Sequence, residues 1–305
     1  MQPIPFKSDR LLAVNARITG VAMQQGEAKS LTGWVAFLTR AEIPVLKQTA
    51  RDLIALREDD ENISARDISE IIARDPMMTV KLLRYLQRHK RSKQEHEVME
   101  VEQAMLMLGV DAFFTKLPPE PLIDDMLRGH TAALVSLLRV VRRSQYASAY
   151  ALDWALRLRD LHFEEVRIAA LLHDLAEMLM WCFAPVEMLK IHAMKQQDKN
   201  LRSHDAQTQV LGFSLVDLQS SLAREWALPQ LLLTLMDDKC ADQERVRNVV
   251  LSVNLARHLA NGWDDAALPD DYKDIGQLLG MQPENVLIMI GSEEETVCDV
   301  VMPHS

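Results

Sequence analysis

A nearly continuous apolar stretch, Glu164–Phe183, constrains the fold of this chain more than any other feature of the sequence. From Ile168 onward, apolar residues fall on almost every side of a helix, and such a helix is normally buried at the centre of a fold. Asp160 is a residue type that can cap the start of the helix. Glu164 and Glu165 suit its first turn, where the helix dipole favours negative charge. We therefore predict one buried helix over this stretch, with other helices packed around it.

Two polar residues, His173 and Asp174, stand in the middle of this apolar stretch. Burying them is costly unless they are paired or bind a metal ion. One interpretation is a metal site that uses both side chains as ligands. The other is a structural pair that forms hydrogen bonds with the backbone or with a basic side chain. We favour the structural interpretation because buried polar groups are normally paired.

The rest of the chain predicts an all-α protein. Of its 305 residues 48% are hydrophobic, with Leu, Ala and Met prominent and only 10 glycines, a composition typical of helices. The prolines at 118, 119 and 121 mark the clearest break between helical segments. The expected organisation is an N-terminal extension (1–30) that could contain a short strand, a smaller helical bundle (31–117), a larger bundle (118–291) and a loose tail (292–305).

Charge and cysteine content limit the partners and the compartment. The net charge is 34 minus 44, or -10, which argues against nucleic acid as the main partner. Cys182, Cys240 and Cys298 are widely separated, as expected in a reducing compartment. The longest apolar stretch carries a histidine and several acids and is a poor membrane span. We expect a cytoplasmic protein without a signal peptide or a cofactor, which binds neither nucleic acid nor membranes.

Other candidate sites have simpler interpretations. The basic segment 88–97 could bind phosphate or a partner, but its mixture with acids favours a solvated loop. The sequence contains no Gly-rich phosphate loop and no HExxH motif. We expect Cys182, Trp181 and Trp226 to fill the core rather than to take part in chemistry.

Four segments together resemble a known family. IIARDPMMTVKLLRYL (71–86) and VEQAMLMLGVDAF (101–113) resemble the first half of the HDOD domain. LLHDLAEMLM (171–180) and LGFSLVDLQSSLAREWALP (211–229) resemble its second half. The resemblance covers about 35–260 and implies an HD-like multi-helix bundle with a smaller N-terminal helical bundle. HDOD domains occur in bacterial signal-transduction proteins and look like HD-type phosphohydrolases that have largely lost their catalytic residues.

Several positions depart from what a working HD phosphohydrolase needs. Arg143 aligns near the position of an early histidine ligand, and an arginine cannot coordinate a metal ion. Leu215 stands where relatives often have a histidine, and Glu177 where phosphohydrolases commonly carry a lysine or arginine. Asp237 and Asp238 remain as later acids that could be ligands or surface residues. The resemblance therefore implies a vestigial site without a bound metal.

Three functional hypotheses follow. The favoured one is a non-catalytic regulatory module that binds another signalling protein, with an Arg143–Asp174 contact in the vestigial site. The second is a metal-dependent phosphohydrolase acting on a nucleotide or signalling phosphate, in which His173 and Asp174 are ligands and Asp237 or Asp238 completes the site. The third is a nucleotide sensor that binds a small anionic ligand beside Arg143.

Overall fold

The fold is entirely helical over the part of the chain that the computed structural model describes, which is residues 30–59, 63–89 and 98–291. A single parallel bridge between Val45 and Leu122 is the extent of β-type pairing in these ranges. The all-α class and the HD-like bundle expected from the sequence are therefore confirmed. The strand considered for the N-terminal extension, the basic segment beyond residue 89 and the tail from 292 lie outside the described residues.

The helices follow one another through the whole described chain. The first eight are α1 (Leu31–Arg40), α2 (Lys47–Asp59), α3 (Ala65–Ile72), α4 (Pro76–Arg88), α5 (Val101–Leu108), α6 (Val110–Lys116), α7 (Ile123–Met126) and α8 (Thr131–Arg157). The remaining ones are α9 (Phe163–Leu172), α10 (Leu175–Phe183), α11 (Pro185–Gln197), α12 (Ser203–Leu211), α13 (Leu215–Glu225), α14 (Gln230–Leu235), α15 (Glu244–Leu259), α16 (Leu268–Leu279) and α17 (283–291).

The chain forms two compact units, and segments of the two units alternate along the sequence. Among the described residues, the first unit consists of 30–59, 63–89, Met105–Leu138 and Asp174–Leu228. The second consists of 98–104, Arg139–His173 and 229–291. Each unit thus draws segments from both sides of the break that the sequence predicts near residue 118.

The helix starts follow the local signals of the sequence. Ser64 and Asp67 form a reciprocal capping box at the start of α3. Asp75 caps α4, with Pro76 in the first turn, where its missing N–H costs nothing. Pro185 begins α11 in the same way. These boundaries are set by a few residues each, which is why the sequence alone locates them.

The prediction of one continuous central helix was wrong. α9 ends at Leu172 and α10 begins at Leu175, so the helix is interrupted at His173 and Asp174. The His173 N–H points to the carbonyl of Ala170 at 3.5 Å, the tighter i to i−3 pattern typical of a helix end. Two short helices therefore replace one long helix.

The expected cap at Asp160 was also wrong in its position. His162 is the N-cap residue of α9. The Asp160 carboxylate instead accepts the backbone N–H of His162 at 2.9 Å, and it also pairs with Arg245 at 2.7 Å. The acid therefore orders the turn before the helix rather than the first helical turn itself.

The expected burial of this region is confirmed. Every residue of α10 except Glu177 is buried, including Trp181 and Cys182. Burial raises the pKa of the Cys182 thiol, so it stays protonated and unreactive, as a core residue should. In the first unit, Phe37 of α1 packs edge-to-face against Phe183, with 5.4 Å between the ring centroids.

Candidate functional site

His173 lies at the end of α9 and has an acidic partner in the same unit. Its Nε2 atom is 2.9 Å from Oδ1 of Asp238. The histidine side chain is 13% exposed and the aspartate side chain 62% exposed, so the pair opens to solvent on the aspartate side. Of the two later acids in the sequence, Asp238 is thus the one that reaches His173.

Asp237 has a different role from its neighbour. Its carboxylate accepts the backbone N–H of Lys239 at 3.1 Å and caps the short 3₁₀ turn Asp238–Cys240. That turn carries Asp238, so Asp237 contributes to the position of the acid that meets His173.

Asp174 and Glu177 belong to the first unit, since the boundary between the units falls between His173 and Asp174. Asp174 is the N-cap residue of α10, and its carbonyl accepts the N–H of Met178 at 3.1 Å. The Glu177 carboxylate accepts the indole N–H of Trp181 at 3.4 Å. Both residues therefore take part in the local structure of α10.

A glutamine that the sequence analysis did not consider stabilises the same helix start. Oε1 of Gln219, on α13, accepts the backbone N–H of Ala176 at 2.7 Å. Free N–H groups in the first turn of a helix need such an acceptor. Leu215 also opens α13 as a mostly buried residue, so the position where relatives often have a histidine contributes to the core.

Arg143 lies on α8, in the part that belongs to the second unit. Its expected contact with Asp174 joins residues of different units and stays a prediction. The neighbouring Ser144 is buried, and its hydroxyl donates to the carbonyl of Val141 at 2.8 Å.

Few side chains that could bind a metal ion surround His173. Within each unit, the residues that the structure describes contain no group of three or more His, Cys, Asp and Glu side chains that could hold a metal ion. His173 and Asp238 provide two donors, whereas catalytic zinc sites, for comparison, use three protein ligands and leave one position open. The arrangement supports a hydrogen-bonded His–Asp pair.

The residues that carry the family resemblance in α4 form a buried charged network in the first unit. Asp75 is fully buried, and its carboxylate accepts the N–H groups of Met77 and Met78 at 2.8 and 3.0 Å. It also accepts the N–H of Leu46 at 3.0 Å, far along the chain. Burial raises the pKa of Asp75, and these hydrogen bonds oppose that rise.

Lys81, six residues after Asp75, holds a proline-rich segment. Its Nζ atom donates to the carbonyls of Pro118 and Glu120 at 3.0 and 2.6 Å. The side chain is almost completely buried, and burial lowers its pKa. The buried amino group of Lys81 thus links α4 to the proline-containing segment 118–121, where the sequence predicts a break between helical segments.

Arg84 fastens the end of α1. Its Nη1 atom donates to the carbonyls of Leu38 and Ala41 at 3.3 and 3.1 Å, and its guanidinium lies 5.2 Å from the ring centroid of Trp226. The Trp226 indole in turn donates to the Thr39 hydroxyl at 3.1 Å. Burial lowers the pKa of Arg84 to about 10.

The charged residues of α4 and Trp226, from the family segment 211–229, therefore stabilise the first unit. Trp226 is buried, as predicted, whereas the roles of Lys81 and Arg84 were not predicted. Their place between Val80, Leu82 and Leu83 was the available signal, since a charge on an apolar helix face needs a partner.

No single helix of the described chain is long and apolar enough to cross a membrane, and one consecutive pair reaches that length only across a sharp bend.

Comparison with known proteins gives one family and several similar folds. The family model of the HDOD domain matches residues 43–240. The MmoQ response regulator of Methylococcus capsulatus str. Bath superimposes with a TM-score of 0.61 at 15% identity, over 82% of this chain and 98% of that one. A virulence factor of Campylobacter jejuni subsp. jejuni gives a TM-score of 0.59 at 17% identity, over 81% and 89%. At these identities the likeness concerns the fold. No curated protein matches the sequence.

Proposed function

Because the chain belongs to the HDOD domain family, we propose that it is a non-catalytic module of bacterial signal transduction. It acts in the cytoplasm by binding another signalling protein. The family assignment fixes the scaffold, and the proposal concerns what this scaffold does.

The observation that carries the proposal is the small donor set at His173. The Nε2 atom of its imidazole lies 2.9 Å from Asp238, and the described residues of the second unit bring no third His, Cys, Asp or Glu side chain to the pair. A hydrolytic metal centre has to hold its ion and still leave a position for water. With two side chains, one of them 62% exposed, a metal ion would be held weakly.

A second observation agrees with a binding role. Three charged residues of the family segment 71–86 form bonds that stabilise the first unit: Asp75 caps a helix, and Lys81 and Arg84 bind backbone carbonyls. One protein of the same fold is described as a response regulator, which is in line with a role in signalling.

The competing function is a metal-dependent phosphohydrolase, and one specific contact favours it. The Nε2 atom of His173 and the Oδ1 atom of Asp238 lie 2.9 Å apart, so small side-chain rotations would allow both to bind one ion. In that case both atoms would turn from each other to the ion, and a further ligand would be needed to complete the site.

Metal content and hydrolysis separate the two functions. The full chain, purified without a tag, is analysed for iron, manganese and zinc and then assayed with p-nitrophenyl phosphate and its bis-ester in the presence of added Mn²⁺. We expect less than about a tenth of an equivalent of metal and only background hydrolysis, because three protein ligands are needed for tight binding. Near-stoichiometric metal, with hydrolysis abolished by His173→Ala, would overturn the proposal.

The binding role is tested with the same preparation. The immobilised full chain is used to capture proteins from a lysate of the source bacterium, and a captured signalling protein is then purified and titrated against the chain. A saturable one-to-one complex that His173→Ala leaves intact would support a binding module that does not depend on this histidine. Hydrolysis without any such complex would favour the enzyme.

A further inference from the structure

Two buried polar atoms in the second unit have no hydrogen-bond partner among the residues that the structure describes. They are the indole Nε1 of Trp154 and the amide Oδ1 of Asn248. Trp154 is 0% exposed and Asn248 2% exposed, so bulk water does not reach either side chain. One atom is a donor and the other an acceptor. Folded proteins leave few such groups unpaired, and each one calls for an explanation.

The contacts of the two side chains bring them to the same turn of α8. Nδ2 of Asn248, on α15, donates to the carbonyl of Ala151 at 3.1 Å. Trp154 follows Ala151 by three residues, and its ring stacks on that of Tyr150 with 6.0 Å between the centroids and 17° between the planes. The indole therefore leans back along α8 toward the turn that Asn248 touches, as long side chains of a helix do.

The orientation of the Asn248 amide is fixed by its neighbour. Exchanging its oxygen and nitrogen would place Oδ1 against the carbonyl oxygen of Ala151, two acceptors facing each other. The oxygen must therefore point away from Ala151, and it needs a donor there.

A third polar group lies one turn further along α15. Ser252 is fully buried, and its hydroxyl donates to the carbonyl of Val249 at 2.9 Å. The hydroxyl oxygen retains its acceptor capacity after this bond. Because Asn248 and Ser252 are four residues apart, they lie on the same face of the helix.

We propose that Trp154, Asn248 and Ser252 form an internal hydration site that binds one water molecule between α8 and α15. The water accepts the indole N–H and donates its two hydrogens to the amide oxygen and the hydroxyl oxygen. Three hydrogen bonds to buried polar groups are typical of a structural water. Such a water ties both helices together and favours one rotation of α15 against α8.

The site can be tested in solution with the full chain. The protein has five tryptophans, so ¹⁵N labelling of tryptophan gives five indole signals at most, and Trp154→Phe identifies the one of interest. We expect a direct NOE between the Trp154 indole proton and water, with the sign of a water that stays longer than the protein takes to tumble. An indole signal without that NOE would overturn the proposal.

Two variants exclude indirect explanations. Ser252→Ala removes the hydroxyl that could relay exchange, and the NOE should persist because the water keeps its bonds to the indole N–H and to the amide oxygen. Loss of the NOE would refute a water held by these two groups. Asn248→Leu removes the amide acceptor, and the NOE should disappear; its persistence would refute the role of Asn248. If Asn248→Leu does not fold, the wild-type and Ser252→Ala spectra decide the question.

A crystal structure gives an independent result. We expect a water peak within hydrogen-bond distance of both Nε1 of Trp154 and Oδ1 of Asn248. A direct bond between these two atoms, or a dry site, would show that no water is bound there.

Discussion

Replacing Asp75 by asparagine tests the buried network of α4 most sharply. The amide oxygen of asparagine can still accept the N–H groups of Met77 and Met78 at the start of the helix. Its NH₂ group, however, faces the N–H of Leu46, which the second carboxylate oxygen accepts at 3.0 Å in the native protein. The variant therefore keeps the helix cap and loses the long-range hydrogen bond from Leu46.

The size of the effect follows from two opposing contributions. Losing a hydrogen bond to a charged group costs about 1.5–3 kcal/mol. Asparagine also removes a buried negative charge, which offsets part of the loss. We expect the free energy of unfolding to fall by about 1–3 kcal/mol at pH 7. Urea unfolding monitored by circular dichroism measures this difference directly.

The pH dependence carries the stronger test. Burial raises the pKa of Asp75 in the folded state above its unfolded value of about 3.9. Between those two values the folded protein binds more protons than the unfolded one, so the contribution of Asp75 to stability is fully present below about pH 3.9 and decreases as the pH rises. The difference in the free energy of unfolding between wild type and Asp75→Asn should therefore increase as the pH is lowered. A difference that decreases instead would show that the N–H donors outweigh burial and refute this reasoning.

The matched control is a partly exposed aspartate whose pKa shifts in the opposite direction. Hydrogen bonds from Ser64 lower the pKa of Asp67 in the capping box of α3. Its contribution is present above the unfolded pKa and is lost as the pH falls. The difference in the free energy of unfolding between wild type and Asp67→Asn should thus decrease as the pH is lowered.

Three further substitutions test the packing and the His–Asp pair. Trp226→Phe removes the indole donor to the Thr39 hydroxyl and should lower the free energy of unfolding by about 1–2 kcal/mol. The control Trp263→Phe, at a half-exposed position, should change the free energy of unfolding by less than about 0.5 kcal/mol. Phe37→Ala should cost about 3–5 kcal/mol in the same urea titration, because the side chain is 1% exposed; a loss below about 1 kcal/mol would mean that α1 is only loosely packed. Asp238→Asn should change stability by less than about 1 kcal/mol, because the carboxylate is 62% exposed, and a larger loss in thermal unfolding would show that the contact with His173 is structural.

The sequence predicts well what depends on near neighbours. The all-helical class follows from composition and periodicity, and the starts of α3 and α4 follow from Ser64 and from Asp75 with Pro76. These signals lie within one helical turn of the feature that they determine.

Features that depend on distant residues were missed. Arg84 meets Leu38 across 46 residues, and Trp226 meets Thr39 across 187. The interruption of the central helix cannot be predicted from the local sequence, because the apolar residues on either side suit a continuous helix and a broken one equally well. The start of α10 depends on Gln219, which is 43 residues from the N–H that it accepts.

The candidate site also depends on residues that are far apart in the sequence. The sequence placed Asp237 and Asp238 together as later acids, and only the folded second unit shows that Asp238 reaches His173 across 65 residues while Asp237 caps a turn. Nothing local distinguishes two adjacent aspartates.

The way α1 is held has a practical consequence for shortening the protein. The family match begins at residue 43, after α1 has ended. A fragment cut there would lose the two carbonyls that Arg84 binds and would uncover the indole of Trp226. An N-terminal truncation of the chain should therefore keep Ser30, the residue that caps α1, rather than begin where the recognisable family sequence begins.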